Sequence, residues 1–178
     1  MKEHGNAPRI ARTPSWVHGL WWIGTGVAGV GCLPEPQYPL QPVIGFESME
    51  LTESGGRELV LSFTDGDGDI GLGQGDTLPP FCTGCAHHQN LKLEYEELRD
   101  GAWTPIPLNP EIGQVPFYYR VPRVTPTGQN PALQGTIALD MPAWYLSSPY
   151  DTLRFQITLW DRSLNASNTI YTPALFKP

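Results

Sequence analysis

The chain predicts an all-β fold, an immunoglobulin-like β-sandwich of about seven to eight antiparallel strands, and three observations lead there. Short runs rich in β-branched and aromatic residues recur along it, with apolar residues at alternate positions. Clusters of Gly, Pro, Asn and Asp separate the runs, and 19 glycines and 19 prolines in 178 residues make a chain of many turns. Helical periodicity is absent, so nothing alternates with the strands as it would in an α/β chain. A hydrophobic content of 40% is enough for a real core and argues against disorder.

Each element follows in order. The first strand candidate is 43–51. In the second, Leu59, Leu61 and Phe63 alternate with Glu58, Val60, Ser62 and Thr64, which gives one buried face. Leu91, Leu93 and Tyr95 against Lys92, Glu94 and Glu96 repeat the pattern in a third. Asp100-Gly101 is a hairpin-turn signal leading into a strand at 103–106. Further strands are expected at 115–121, 135–141, 153–159 and 169–175, with a single helical turn at 142–146. Seven or eight short strands without a crossover helix fit two packed sheets.

The N-terminus reads as a secretory leader over residues 1–31. Lys2, Arg9 and Arg12 precede an apolar run from Trp16 to Val30, closed by Gly31-Cys32. The run is about 15 residues and interrupted by glycines, short of the ~20 that a spanning helix needs. Small residues before a cysteine resemble a bacterial lipobox, which implies cleavage before Cys32 and diacylation of its thiol; Gly29 stands where that pattern prefers Leu. Residues 32–42, with Pro34, Pro36, Pro39 and Pro42, form a stiff tether that reaches roughly 30 Å when extended. Residues 43–178 are then the folded domain. Losing Lys2, Glu3, Arg9 and Arg12 with the leader takes the formal charge from −7 to −9. That balance repels phosphate backbones, so nucleic acid is excluded as a partner.

The chemistry concentrates after the second strand, in Asp65-Gly-Asp-Gly-Asp-Ile-Gly71. Asp65, Asp67 and Asp69 alternate with small glycines, and carboxylates this close repel one another unless a cation neutralises them. Ca²⁺ takes six to eight hard oxygens, which such a loop can bring together. Asp76 falls twelfth from Asp65, as in an EF-hand, but Ile70 holds the place of the EF-hand glycine and no helices flank the loop. In an immunoglobulin-like order the loop containing Asp161 and Asn165 lies at the same end and adds oxygens. The alternative is that Asp and Gly serve here only as turn formers.

Phe81-Cys-Thr-Gly-Cys85-Ala-His-His88 leaves three readings open. An oxidising compartment favours a Cys82–Cys85 disulfide, with His87 and His88 as exposed loop residues. Zn²⁺ on Cys82, Cys85 and a histidine is the alternative. Redox catalysis would require a βαβ surround that is missing, and haem attachment requires His where Ala86 stands. Trp103, Tyr118, Tyr119, Trp144, Tyr145 and Trp160 are core aromatics or, alternatively, a surface for a glycan or peptide partner. No nucleophile elbow, phosphate loop or zinc-protease motif occurs, so the chain reads as non-enzymatic.

Cys32 with its Pro-rich tether, Pro42-Val-Ile-Gly-Phe46, Leu61-Ser-Phe-Thr-Asp-Gly-Asp-Gly-Asp-Ile-Gly71, Tyr119-Arg-Val-Pro122, Gly135-Thr-Ile, Leu153-Arg-Phe-Gln-Ile, Trp160-Asp-Arg and Asn165-Ala-Ser-Asn168 together resemble small Bacteroidota-type envelope lipoproteins. The resemblance spans nearly the whole mature chain, although the 82–88 segment is atypical of it. It implies an immunoglobulin-like domain held in the bacterial cell envelope, at the outer membrane, by lipid. It assigns no biological role.

Overall fold

The computed structural model describes residues 8–11, 37–114, 116–126, 130–143 and 146–177. Most of the expected leader, Cys32, the tether up to residue 36, Val115, and Trp144 and Tyr145 of the expected helical turn lie outside them. The described residues form ten strands: β1 (Arg9–Ala11), β2 (Val43–Leu51), β3 (Arg57–Asp65), β4 (Leu91–Arg99), β5 (Ala102–Pro105), β6 (Phe117–Tyr119), β7 (Leu133–Met141), β8 (Thr152–Leu159), β9 (Ile170–Tyr171) and β10 (Leu175–Phe176). One 3₁₀ turn, Pro110–Ile112, is capped by the Asn109 side chain, which accepts from the Glu111 N–H.

Two sheets make the sandwich. One runs β1-β7-β3-β2 and the other β10-β8-β4-β5, with β6 added to β4 and β9 to β8. The named strands pair antiparallel throughout. Placing β2, β3 and β7 in one sheet and β4, β8 and β9 in the other reproduces the A-B-E and C-F-G division of an immunoglobulin-like sandwich. Beside β7, where such a domain would place a D strand, lies β1. Arg9–Ala11 fall in the expected leader, yet here they pair with Thr136–Ala138, and Arg9 bridges to Glu58 and Asp140 at 2.7 and 3.1 Å.

Alternation decides which residues meet between the sheets. Leu59, Leu61 and Phe63 of β3 and Ile137 and Leu139 of β7 turn inward. They face Leu91, Leu93 and Tyr95 of β4 and Leu153, Phe155, Ile157 and Leu159 of β8, all at most 4% exposed. Each such side chain contributes about 1.5–3 kcal/mol relative to an exposed one. The core is continuous from Ile44 to Leu175.

Local chemistry explains the departures from the simple pattern. Asp100 and Gly101 both have positive φ (50° and 83°) and close the expected two-residue hairpin between Arg99 and Ala102. Glu47 is an extra residue where the register of β2 shifts between Phe46 and Ser48, a β-bulge. The expected strand at 169–175 is divided into β9 and β10 around Pro173, which has no N–H to give a ladder. Pro116 precedes β6, and beyond it the Val121 N–H bonds to the Asn90 side chain at 2.9 Å, so the expected strand at 115–121 narrows to three residues.

Candidate metal centre

Asp65 is the last residue of β3 and is fully buried. The chain then turns across the end of the sandwich. Gly68 has φ 69°, and a Cβ there would lie 2.0 Å from the Pro131 carbonyl oxygen, so the loop closes only with glycine at this position. The Asp69 N–H returns to Asp65 Oδ2 at 2.8 Å, which fixes the direction of that carboxylate.

The second sheet supplies the other half of the centre. Beyond β8, Trp160 bridges to Ala166, and the turn between them presents Asp161, also fully buried. Asn165 donates its backbone N–H to Asp161 Oδ1 at 2.7 Å and its side-chain amide to Oδ2 at 2.8 Å. Ser163 donates both N–H and hydroxyl to Asp69 Oδ2, at 3.0 and 2.7 Å, and the Arg162 N–H reaches the Asp69 carbonyl at 3.4 Å. The two end loops are therefore stitched together around the acids.

One oxygen from each of Asp65, Asp69 and Asp161 lies within 4.8 Å of the others. Oxygens on opposite sides of a Ca²⁺ ion stand about 5 Å apart, given Ca–O distances of about 2.3–2.6 Å, so the spacing suits a single ion. Three carboxylate oxygens, Asp65 Oδ1, Asp67 Oδ1 and Asp69 Oδ1, are buried with no hydrogen-bond partner. A buried anionic oxygen without a donor or cation is strongly disfavoured. The electrostatics carry the same imprint. Burial first, then the charges of Asp67 and Asp69, push Asp65 up to about 7. Burial, with Asp69 and Asp67 adding to it, also raises Asp161 against the opposing bonds from Asn165.

The structure brings together Asp65, Asp69 and Asp161, with the Asp67 oxygen buried close by, and keeps Asp76 apart. Asp76 Oδ2 accepts from the Gly73 N–H at 2.7 Å and Oδ1 pairs with Arg162 at 3.2 Å. The Gly73 bond first, with Arg162, holds its carboxyl below the usual range. Asn165, read from sequence as an oxygen donor, instead positions Asp161 through its N–H groups. Ser163 and Arg162 were not singled out for this role. Their only signal is the turn-forming run Asp161-Arg-Ser-Leu-Asn165.

Beside this centre, Cys82 and Cys85 are joined as a disulfide with Cα atoms 5.1 Å apart. Their sulfurs are thereby unavailable as zinc thiolates. The adjoining histidines are half-buried rather than exposed. His87 packs edge-on against Trp160 with ring centroids 5.7 Å apart, and burial, then the Lys92 charge, lowers its pKa. His88 Nδ1 lies 3.2 Å from the Phe81 carbonyl. Arg120 organises this long connection: its guanidinium donates to the carbonyls of Gly73, Asp76, Phe81 and His88 at 2.8–3.4 Å.

The aromatic residues divide. Tyr119 packs toward the core, whereas Trp103, Tyr118, Trp160 and Tyr171 belong to the outer side of the six-stranded sheet. Cations cover these rings. The Arg154 guanidinium lies 4.4 Å from the Trp103 centroid and 4.1 Å from that of Tyr171, and Lys92 Nζ lies 5.5 and 5.1 Å from Tyr118 and Trp160. Against known proteins, the chain matches no family model, no curated protein and no solved structure. Function is therefore argued from the site itself.

Proposed function

We propose that the chain is a non-enzymatic, lipid-anchored domain of the bacterial envelope in which one Ca²⁺ ion ties the two sheets together at the end nearest the tether. The observation that carries the calcium reading is the convergence of one oxygen each from Asp65, Asp69 and, from the opposite sheet, Asp161, in a loop where Asp65, Asp67 and Asp69 each keep a buried Oδ1 without a hydrogen-bond partner. All candidate ligands are hard oxygens, the donor type that selects calcium or magnesium over zinc. The geometry favours a structural ion over a catalytic one, because Asp65 and Asp161 are fully buried. Lipid anchoring rests on the N-terminal pattern that ends at Cys32.

A second reading, glycan recognition, is favoured by four aromatic residues sharing one outer face. It stands behind the first because Arg154 and Lys92 already stack against those rings. Thermal unfolding in EDTA and across a Ca²⁺ titration tests the calcium reading. A ligand bound only by the folded state stabilises it by RT ln(1 + [L]/Kd), so the midpoint should rise with Ca²⁺ and Asp69→Asn should abolish the rise. A midpoint unchanged by millimolar Ca²⁺ would reduce the aspartates to turn residues.

A further inference from the structure

The acidic loop touches one more part of the chain. Its first residue after Asp65, Gly66, donates its N–H to the Pro39 carbonyl at 2.8 Å. A Cβ on Gly66 would lie 2.4 Å from the Tyr38 carbonyl oxygen and 2.6 Å from that of Pro39, so the tether backbone rests directly on the loop. Two neighbouring anchors hold the same segment. The Tyr38 hydroxyl bonds to the Gln134 side chain on β7, one residue from the Leu133 that pairs with Asp65, and Pro42 is buried. Pro39, Leu40 and Gln41 between them are exposed.

We propose, resting on the calcium reading above, that the ion controls whether the tether is docked. The Pro39 carbonyl is held by a residue whose position depends on Asp65, Asp67 and Asp69 turning toward one another. Ionised and without a cation, those carboxylates repel and the turn they form opens. With the ion bound the turn closes and the Gly66 N–H is presented to Pro39. Docking and ion binding stabilise each other, because coupling between two sites is reciprocal. For a chain anchored at Cys32 the consequence is mechanical. Docked, five residues separate the anchor from the first held residue, Tyr38; released, ten separate it from β2 at Val43. The ion would thus set how closely and how rigidly the domain is held to its anchoring surface.

Hydrogen exchange on the full chain, in EDTA and in saturating Ca²⁺, tests this, with calorimetric Ca²⁺ titration run beside it. The amide of Gly66, which donates to Pro39, should gain at least tenfold protection with the ion. Gly66→Ala, which forces the tether off the loop, and the milder Tyr38→Phe, which removes only the hydroxyl bond, should each weaken Ca²⁺ binding, the former by about tenfold. Ca²⁺ binding with unchanged protection at the Gly66 amide, and unchanged affinity in Tyr38→Phe, would overturn the coupling and leave the ion site standing. Absence of any Ca²⁺ binding would overturn both.

Discussion

Replacing Asp65 by Asn should have opposite effects in the presence and absence of the ion. The carboxyl of Asp65 is raised from an ordinary 3.8 to about 7 by burial and by the charges of Asp67 and Asp69. That displacement disfavours the ionised form in the cation-free fold by up to about 4 kcal/mol, at ~1.4 kcal/mol per pH unit. Because the folded value lies above the unfolded one, this stability is fully present below pH 4 and is lost as pH rises through about 7. An asparagine keeps an oxygen to accept from the Asp69 N–H and places an amide where the unpartnered Oδ1 now lies among carboxylates. In EDTA at pH 8, Asp65→Asn should therefore melt higher than the natural chain, by up to roughly 16 °C at ~2–4 °C per kcal/mol. The difference should shrink toward pH 4. With Ca²⁺ at about a hundredfold its Kd, the natural chain should gain about 2.7 kcal/mol and the variant nothing. Scanning calorimetry at pH 4, 6 and 8, with EDTA and with Ca²⁺, reads all of this. A variant that is less stable than the natural chain in EDTA at every pH would refute the reasoning, because it would make Asp65 a hydrogen-bonding turn residue.

Two other predictions concern parts of the fold outside the acidic loop. Glu97, fully buried on β4, accepts from Lys177, Arg99 and Ser148, so Lys177→Met should cost about 3 kcal/mol by leaving a buried charge underpaired. Burial would raise the Glu97 carboxyl, but the bonds from Lys177, Arg99 and Ser148 outweigh it and hold it low. Its contribution is thus present above about pH 4.5 and lost as pH falls through the folded value, and the variant should show a shallower acid transition. A chain beginning at Cys32 lacks β1 and the exposed Arg9 pairs, each worth about 0–1 kcal/mol, and should unfold within a few degrees of the longer chain. A drop of 10 °C or more would make β1 an integral strand.

Local patterns made most of the fold legible. β8 and the inner part of β3 alternate without interruption and β4 does so as far as Tyr95, and the Asp100-Gly101 hairpin is set by two adjacent residues that tolerate positive φ. The acidic centre was legible in its composition and in the expectation that Asp161 lies at the same end as the loop after β3. Its membership was not. Asp76 was drawn in by its spacing, yet spacing carries ligand geometry only inside the helix-flanked EF-hand loop, and here Arg162 and the Gly73 N–H hold it elsewhere. Ser163 reaches Asp69 across 94 positions, and Tyr38 reaches Gln134 across 96. Contacts of that span depend on how the sheets pack, and no local periodicity encodes them. The half-burial of His87 has the same origin, since Trp160 reaches it only after β8 pairs with β4.

Isothermal calorimetry of the natural chain with Ca²⁺ at pH 7.5, after exhaustive treatment with chelator, tests the central claim most directly. The arrangement of Asp65, Asp67, Asp69 and Asp161 predicts one saturable site per chain, lost in Asp69→Asn and not reproduced by Zn²⁺ at the same residues. Absence of binding heat up to millimolar Ca²⁺ at several temperatures, with an unfolding midpoint equally indifferent to the ion, would contradict it.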